Sequence, residues 1–166
     1  MTKERPVFKG LRWYREQYFS FFVPVDWHRF NWQDDRQGAL FGPSADDAHT
    51  VFAADLRDLG FTVAAADLDD LFEGFMAGIQ QLPGVEIELS DKRVVGKVIT
   101  LEAKYTFTDD EMTRKRWVRV LYHGTRQIAF TAQGATPDTY DYWLPMFYEA
   151  MMTAKVHSTL PADPYF

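Results

Sequence analysis

Basic side chains concentrate in one place in the chain, Arg114-Lys-Arg-Trp-Val-Arg119. On an extended strand, alternation puts Arg114 and Arg116 on one face with Val118, and Lys115, Trp117 and Arg119 on the other. Guanidinium groups beside an indole can hold an anion or stack a base. The plainer reading is a hairpin end projecting into water, where arginine stems cover aromatic rings. Three acids, Asp109-Asp110-Glu111, stand just ahead of the run and read as its turn. Opposite charges close together on a free pair of strand ends suit a protein partner. The candidate partner or anion contacts are Arg114, Arg116, Trp117, Asp109 and Asp110.

Other chemistry is scarce. The four histidines, His28, His49, His123 and His157, show no ligand spacing, and there is no cysteine. Zinc ribbons, thiol nucleophiles, disulfides and iron–sulfur clusters are thereby excluded, and no bound metal is expected. No serine sits in a Gly-x-Ser-x-Gly elbow. The acid pairs Asp34-Asp35 and Asp46-Asp47 read as solvated turns, Asp67 to Asp70 as a helix start, and none has the spacing of a calcium loop. Neither a dinucleotide fingerprint nor a phosphate-binding loop occurs. No cofactor is expected, and no catalytic residue is assigned.

Net charge is −6 over 166 residues, which argues against nucleic acid as a partner. No run approaches 18 uncharged apolar residues, so no membrane insertion is expected. The opening residues lead into no apolar stretch of signal-peptide type, which makes the cytoplasm the default location. The length suits one domain, residues 1–166, with a core over about 18–156 and loose ends.

The 27 aromatic residues carry roughly 4,000–7,000 Å² of ring surface at about 150–250 Å² each. One wet-faced sheet could not hide that area, so a sheet covered on both faces is predicted. Tyr18–Val23 is the first strand, apolar on both faces and ended by Pro24. Whether residues 8–14 join the sheet stays open. His28–Gln33 and Ala39–Gly42 follow as strands around a turn at Asp34–Gly38, with Gly38 in a left-handed position. Residues 50–56 read as a strand, with a short helix as the competing reading. Leu68, Leu71, Phe72, Phe75, Met76, Ile79 and Leu82 form a helical stripe over 67–82, capped by Asp67. A strand at Val85–Ser90, a turn at Asp91-Lys92 and long strands at 94–107, 112–123 and 126–132 come next. Thr136-Pro137-Asp138 starts a helix that runs to about Val156, with a bend at Pro145. Residues 112–121 extend roughly 33 Å, whereas two helices side by side cover about 20 Å. The end of the strand carrying Arg114 and Arg116 is therefore expected to project.

The aromatic strand ending in Phe-Val-Pro-Val-Asp-Trp (residues 22–27) resembles the Phe-x-x-Pro-x-x-Trp opening of the PsbP-like superfamily. Ala39-Leu-Phe-Gly-Pro43 is similar to its next strand, and the order helix, three antiparallel strands, aromatic helix is also similar, over roughly residues 18–156. The resemblance implies an α+β fold, an antiparallel β-sheet with helices packed on both faces (an α-β-α sandwich). It further implies the absence of enzymatic activity and a role in binding proteins or assisting their assembly. The superfamily shares no catalytic motif, so it carries no functional residue over. The function expected is a non-catalytic interaction or assembly-assisting module that binds a protein partner. The alternative is a small-ligand-binding or enzymatic domain with a pocket between the C-terminal helix, residues 138–156, and the sheet.

Overall fold

Most of the chain alternates apolar and polar side chains. In the computed structural model, which describes residues 5–157, those stretches become the strands of two sheets. The elements are β1 (Leu11–Arg15), β2 (Phe19–Pro24), β3 (His28–Phe30), β4 (Gln37–Gly42), β5 (Val51–Asp58), α1 (Leu68–Gln80), β6 (Glu86–Val95), β7 (Val98–Asp109), β8 (Met112–His123), β9 (Arg126–Gly134), α2 (Pro137–Thr153) and β10 (Lys155–Val156). Seven strands form an antiparallel sheet in the order β3-β4-β5-β9-β8-β7-β6. The other three form a small sheet, β1-β2-β10. The architecture is α+β, with α1 against one face of the large sheet and α2, joined by the small sheet, against the other.

Alternation along β8 sorts the two cores. Trp117 and Leu121 face α2, while Val118, Val120 and Tyr122 face α1. The α2 side is built of rings. Phe21 is fully buried, with Phe41, Phe52 and Phe130 at 6.0, 5.0 and 6.2 Å between ring centres. Phe147 and Met151 of α2 close the same core.

The first aromatic strand is covered on both faces, as its sequence predicts, but within the small sheet rather than the large one. Phe19 and Phe21 face the core, Ser20 is buried, and Phe22 meets the edge of Trp13 at 4.6 Å. Its flanking strands are β1, from the lead-in segment, and β10.

Val51–Asp58 is a strand along its whole length, paired with β9, which bears out the strand reading of residues 50–56 over the helix. Other elements differ from the sequence reading. The turn expected at Asp91-Lys92 lies instead after Val95, where Gly96 takes φ +60°, and β6 continues unbroken to it. Gly38 is not a turn residue but lies inside β4. At φ +140° a Cβ there would sit 1.8 Å from the Ala54 carbonyl oxygen, so close strand approach requires the glycine. Asp67 stands at the N-cap position of α1, as read, but its side chain makes no bond to the helix; its Oδ2 accepts the Ala64 N–H at 2.8 Å, fixing the short turn ahead of the helix. In the α1 stripe only Ile79 is buried and the other six are half-buried, because the helix lies toward the margin of the sheet, over the edge strand β6 and its neighbour β7.

Thr136 caps α2 as expected, accepting the Thr139 N–H at 3.1 Å. The helix ends at Thr153 rather than Val156. Thr153 Oγ1 donates back to the Glu149 carbonyl and accepts the Phe22 N–H, and Ala154 turns extended into β10. The helix is continuous through Pro145, whose position is exposed. The loose ends read from the sequence lie largely outside the described residues. Among the described residues no helix is long and apolar enough to cross a membrane.

Candidate functional site

The basic run lies on β8 with the facing that alternation predicts, but it does not project. Arg114 is 4% exposed. Its Nε donates to Asp109 Oδ2 at 2.7 Å and its Nη1 to the Ala135 carbonyl at 3.0 Å. Arg116 forks onto one acceptor, with Nε and Nη2 at 2.9 and 2.6 Å from Gln133 Oε1. Gln133 Nε2 donates in turn to the His49 carbonyl at 2.8 Å. The Arg116 guanidinium also lies 4.5 Å from the Phe107 ring centre. Thr50 completes the cluster by donating to Asp47 Oδ2 and accepting the Ala135 N–H. Ion pair, amide and hydroxyl thus tie the loop before β5 and the chain after β9 to the end of β8. The expected projection is corrected for this reason: loops, not helices, cover that end of the sheet. The Arg114 guanidinium beside Asp109 holds its carboxyl below the usual aspartate range.

On the opposite face Trp117 is 2% exposed, so its ring offers no stacking surface. Its Nε1 donates to Glu102 Oε2 at 2.7 Å, Lys104 lies 4.4 Å from its ring centre, and Tyr148 of α2 stacks on it at 6.4 Å. Arg119 donates through Nη1 to the Met151 carbonyl at 3.1 Å, which satisfies an end group of α2. Lys115 pairs with Glu88 at 3.1 Å and lies over the Tyr140 ring. This network clamps α2 to the sheet.

Of the five sequence-selected residues, then, Arg114, Arg116 and Asp109 are brought together as a structural cluster. Trp117 is buried on the other face. Asp110 alone stands fully in solvent, at the hairpin tip, where it and Glu111 take φ +50° and +64°.

Among the described residues, side chains pack closely between α2 and the sheet. Tyr140, Phe147, Ala150 and Met151 are 0–1% exposed, and Trp27 meets the edges of Trp143 and Phe147 at 5.8 Å. An open depression lies elsewhere, between Asp34–Gln37 and Leu56–Asp58. Asp55 sits at its floor with Oδ1 buried and without a hydrogen bond, and burial pushes its carboxyl up. Among the described residues no group of three or more His, Asp or Glu side chains converges as metal ligands would.

The surface that sequence reasoning missed is an exposed flank of α2, where the Tyr148 ring lies on Trp117 yet stays half in solvent. Tyr148 and Met152 are 54% and 46% exposed. They stand four residues apart and outside the buried stripe of Tyr140, Phe147 and Met151, an offset visible in the sequence once the helix is placed.

Two helices on opposite faces of a seven-stranded antiparallel sheet, closed by a small second sheet, define the PsbP-like fold, and the chain has that fold. It is similar to the cyanobacterial PsbP (CyanoP) of Synechocystis sp. PCC 6803, at 14% identity and a TM-score of 0.61, over 89% of this chain and 92% of that one. LpqN, involved in cell envelope biogenesis of Mycobacterium tuberculosis, matches at 12% identity and a TM-score of 0.59, over 83% and 82%. The Saccharomyces cerevisiae Ran-binding protein Mog1p matches at 13% identity and a TM-score of 0.51, over 83% and 89%. No family model and no curated sequence matches the chain.

Proposed function

We propose that the chain is a non-catalytic protein-binding module whose partner seats on the exposed flank of α2 that carries Tyr148 and Met152. The observation that carries this reading is the pair Tyr148 and Met152, each about half exposed on a helix whose inner face is packed with rings. Adjacent exposed apolar side chains on one helix can form the centre of an apolar patch on which a partner seats. Three further points support the reading. The space between α2 and the sheet holds side chains where a substrate pocket would need room. The arginines that could have served an anion are spent on Asp109, Gln133 and the Ala135 carbonyl. A net charge of −6 disfavours nucleic acid as the partner. One protein of this fold, Mog1p, is Ran-binding.

The test is site-specific photo-crosslinking in cells, with the photoreactive residue at position 148 or at position 110. Position 148 is expected to give a discrete adduct with another protein, lost when Met152→Lys is added. Adducts from position 110 alone would move the contact to the acidic hairpin tip. A chain that crosslinks from neither position and co-purifies with a small molecule would overturn the reading in favour of a ligand-binding or enzymatic domain.

A further inference from the structure

β6 is the last strand of the large sheet, hydrogen-bonded to β7 on one side, and among the described residues no strand pairs with its other side. Free edges are usually blunted by shortness, charged side chains, proline or bulges, and β6 uses charge, with Asp91, Lys92 and Arg93 at its centre. β6 has ten residues and no proline, and its one irregularity lies between Ile87 and Leu89. The remainder, Leu89-Ser-Asp-Lys-Arg-Val-Val95, is regular and exposed. Leu89, Val94 and Val95 are 40%, 39% and 64% exposed along it.

That segment is complementary to itself when reversed. Pairing with β7 places Leu89, Asp91, Arg93 and Val95 on the α2 face, opposite Lys104, Glu102, Thr100 and Val98. Ser90, Lys92 and Val94 take the α1 face. A two-fold axis through Lys92 sets Asp91 against Arg93 of a second copy and Leu89 against its Val95. Each pair occurs twice, and each joins side chains on one face, as directly opposed residues must. Moving the axis one residue earlier would oppose Asp91 to its own copy, and one residue later Arg93 to its own. Both registers are penalised by like charges. At the chosen axis the two Lys92 side chains meet, but each ammonium lies 2.6 Å from Asp69 Oδ1 and 5.1 Å from the Phe72 ring centre of its own α1. Each therefore enters the pairing already neutralised.

We propose that the chain forms a two-fold dimer in which β6 pairs antiparallel with β6 of a second copy, centred on Lys92, so that two seven-stranded sheets become one. In the free edge Asp91 Oδ1 accepts the Lys92 N–H at 2.9 Å. On pairing, that N–H passes to the Lys92 carbonyl of the second copy and the carboxylate turns to Arg93. Asp91 thus shields the strand when it is alone and joins the seam when it is paired.

Sedimentation velocity of the full chain from micromolar to millimolar concentration tests this. The mass is expected to double from 19.3 kDa. Asp91→Arg and Arg93→Asp, taken singly, each turn two attractive pairs repulsive and are expected to weaken the dimer by about tenfold or more. The double variant restores both pairs with signs exchanged and is expected to return to within about threefold of wild type. A chain monomeric at every concentration overturns the proposal. So does a dimer that the single reversals leave unchanged, or one that the double variant fails to restore. Hydrogen exchange of the wild-type Lys92 amide decides independently of how the variants fold: its protection rises with protein concentration in the proposed dimer and stays flat otherwise.

Discussion

Arg114 illustrates how a charged residue on a strand end can be core. Its guanidinium is held by a carboxylate and a backbone carbonyl, so truncation leaves the Ala135 carbonyl unsatisfied and removes a packed stem. Arg114→Ala is expected to cost about 2–3 kcal/mol, read in a denaturant titration. The pair also has a pH signature. Asp109 titrates below its unfolded value, so its contribution is complete above an ordinary aspartate pKa of about 3.9 and fades as pH falls through the depressed folded value. Wild type and Arg114→Ala should converge in stability as the medium is acidified, and parallel curves would show that the ion pair is idle. The facing of Arg114 was legible in the sequence, since strand alternation fixes it. Its burial was not, because the carbonyl that holds it, Ala135, comes from the chain after β9, 21 positions later. Gly38 was misread for a related reason. A glycine beside acidic residues looks like a turn, yet what demands it is the Ala54 carbonyl on the next strand. Gly38→Ala is expected to destabilise by at least about 2 kcal/mol, since a backbone atom cannot step aside; a melt unchanged from wild type would place the strands farther apart.

Among the elements, α1 was the clearest in sequence and the most altered in weight. Its apolar periodicity predicted a helix correctly but implied a deeply buried one. The helix lies toward the margin of the sheet, over β6 and β7, and its stripe is half-covered except at Ile79. Phe75→Ala should therefore cost about 1.5–2.5 kcal/mol, roughly half the loss for a fully enclosed ring. A loss near 4 kcal/mol would mean that a further surface covers the stripe in solution. The start of α2 was readable because hydroxyl, proline and acid stand at consecutive positions. Its end was not, because Thr153 is fixed by the Phe22 amide of a distant strand. The β6–β7 turn was displaced by the pull of Asp91-Lys92, a polar pair that belongs to an exposed edge rather than to a reversal.

At the scale of the molecule, composition foretold that both faces of a sheet would be covered, and they are. It could not foretell that a second sheet would supply part of the cover, since that depends on β10 returning to β2 from the far end of the chain. That return has a mechanical consequence. Leu11 lies beside Pro24 and Val156 beside Phe19, so β1 and β10 leave β2 at opposite ends. Traction on the two termini would draw them in opposite directions along β2. Hydrogen bonds perpendicular to the strands are then loaded together, in shear, rather than unzipped in succession. The two residue pairs of β10 should yield before the five of β1, and α2 should follow β10. In an optical trap the first extension is expected to release the C-terminal segment at modest force and leave the large sheet intact, whereas a first release of β1 would show that the short strand is the stronger anchor.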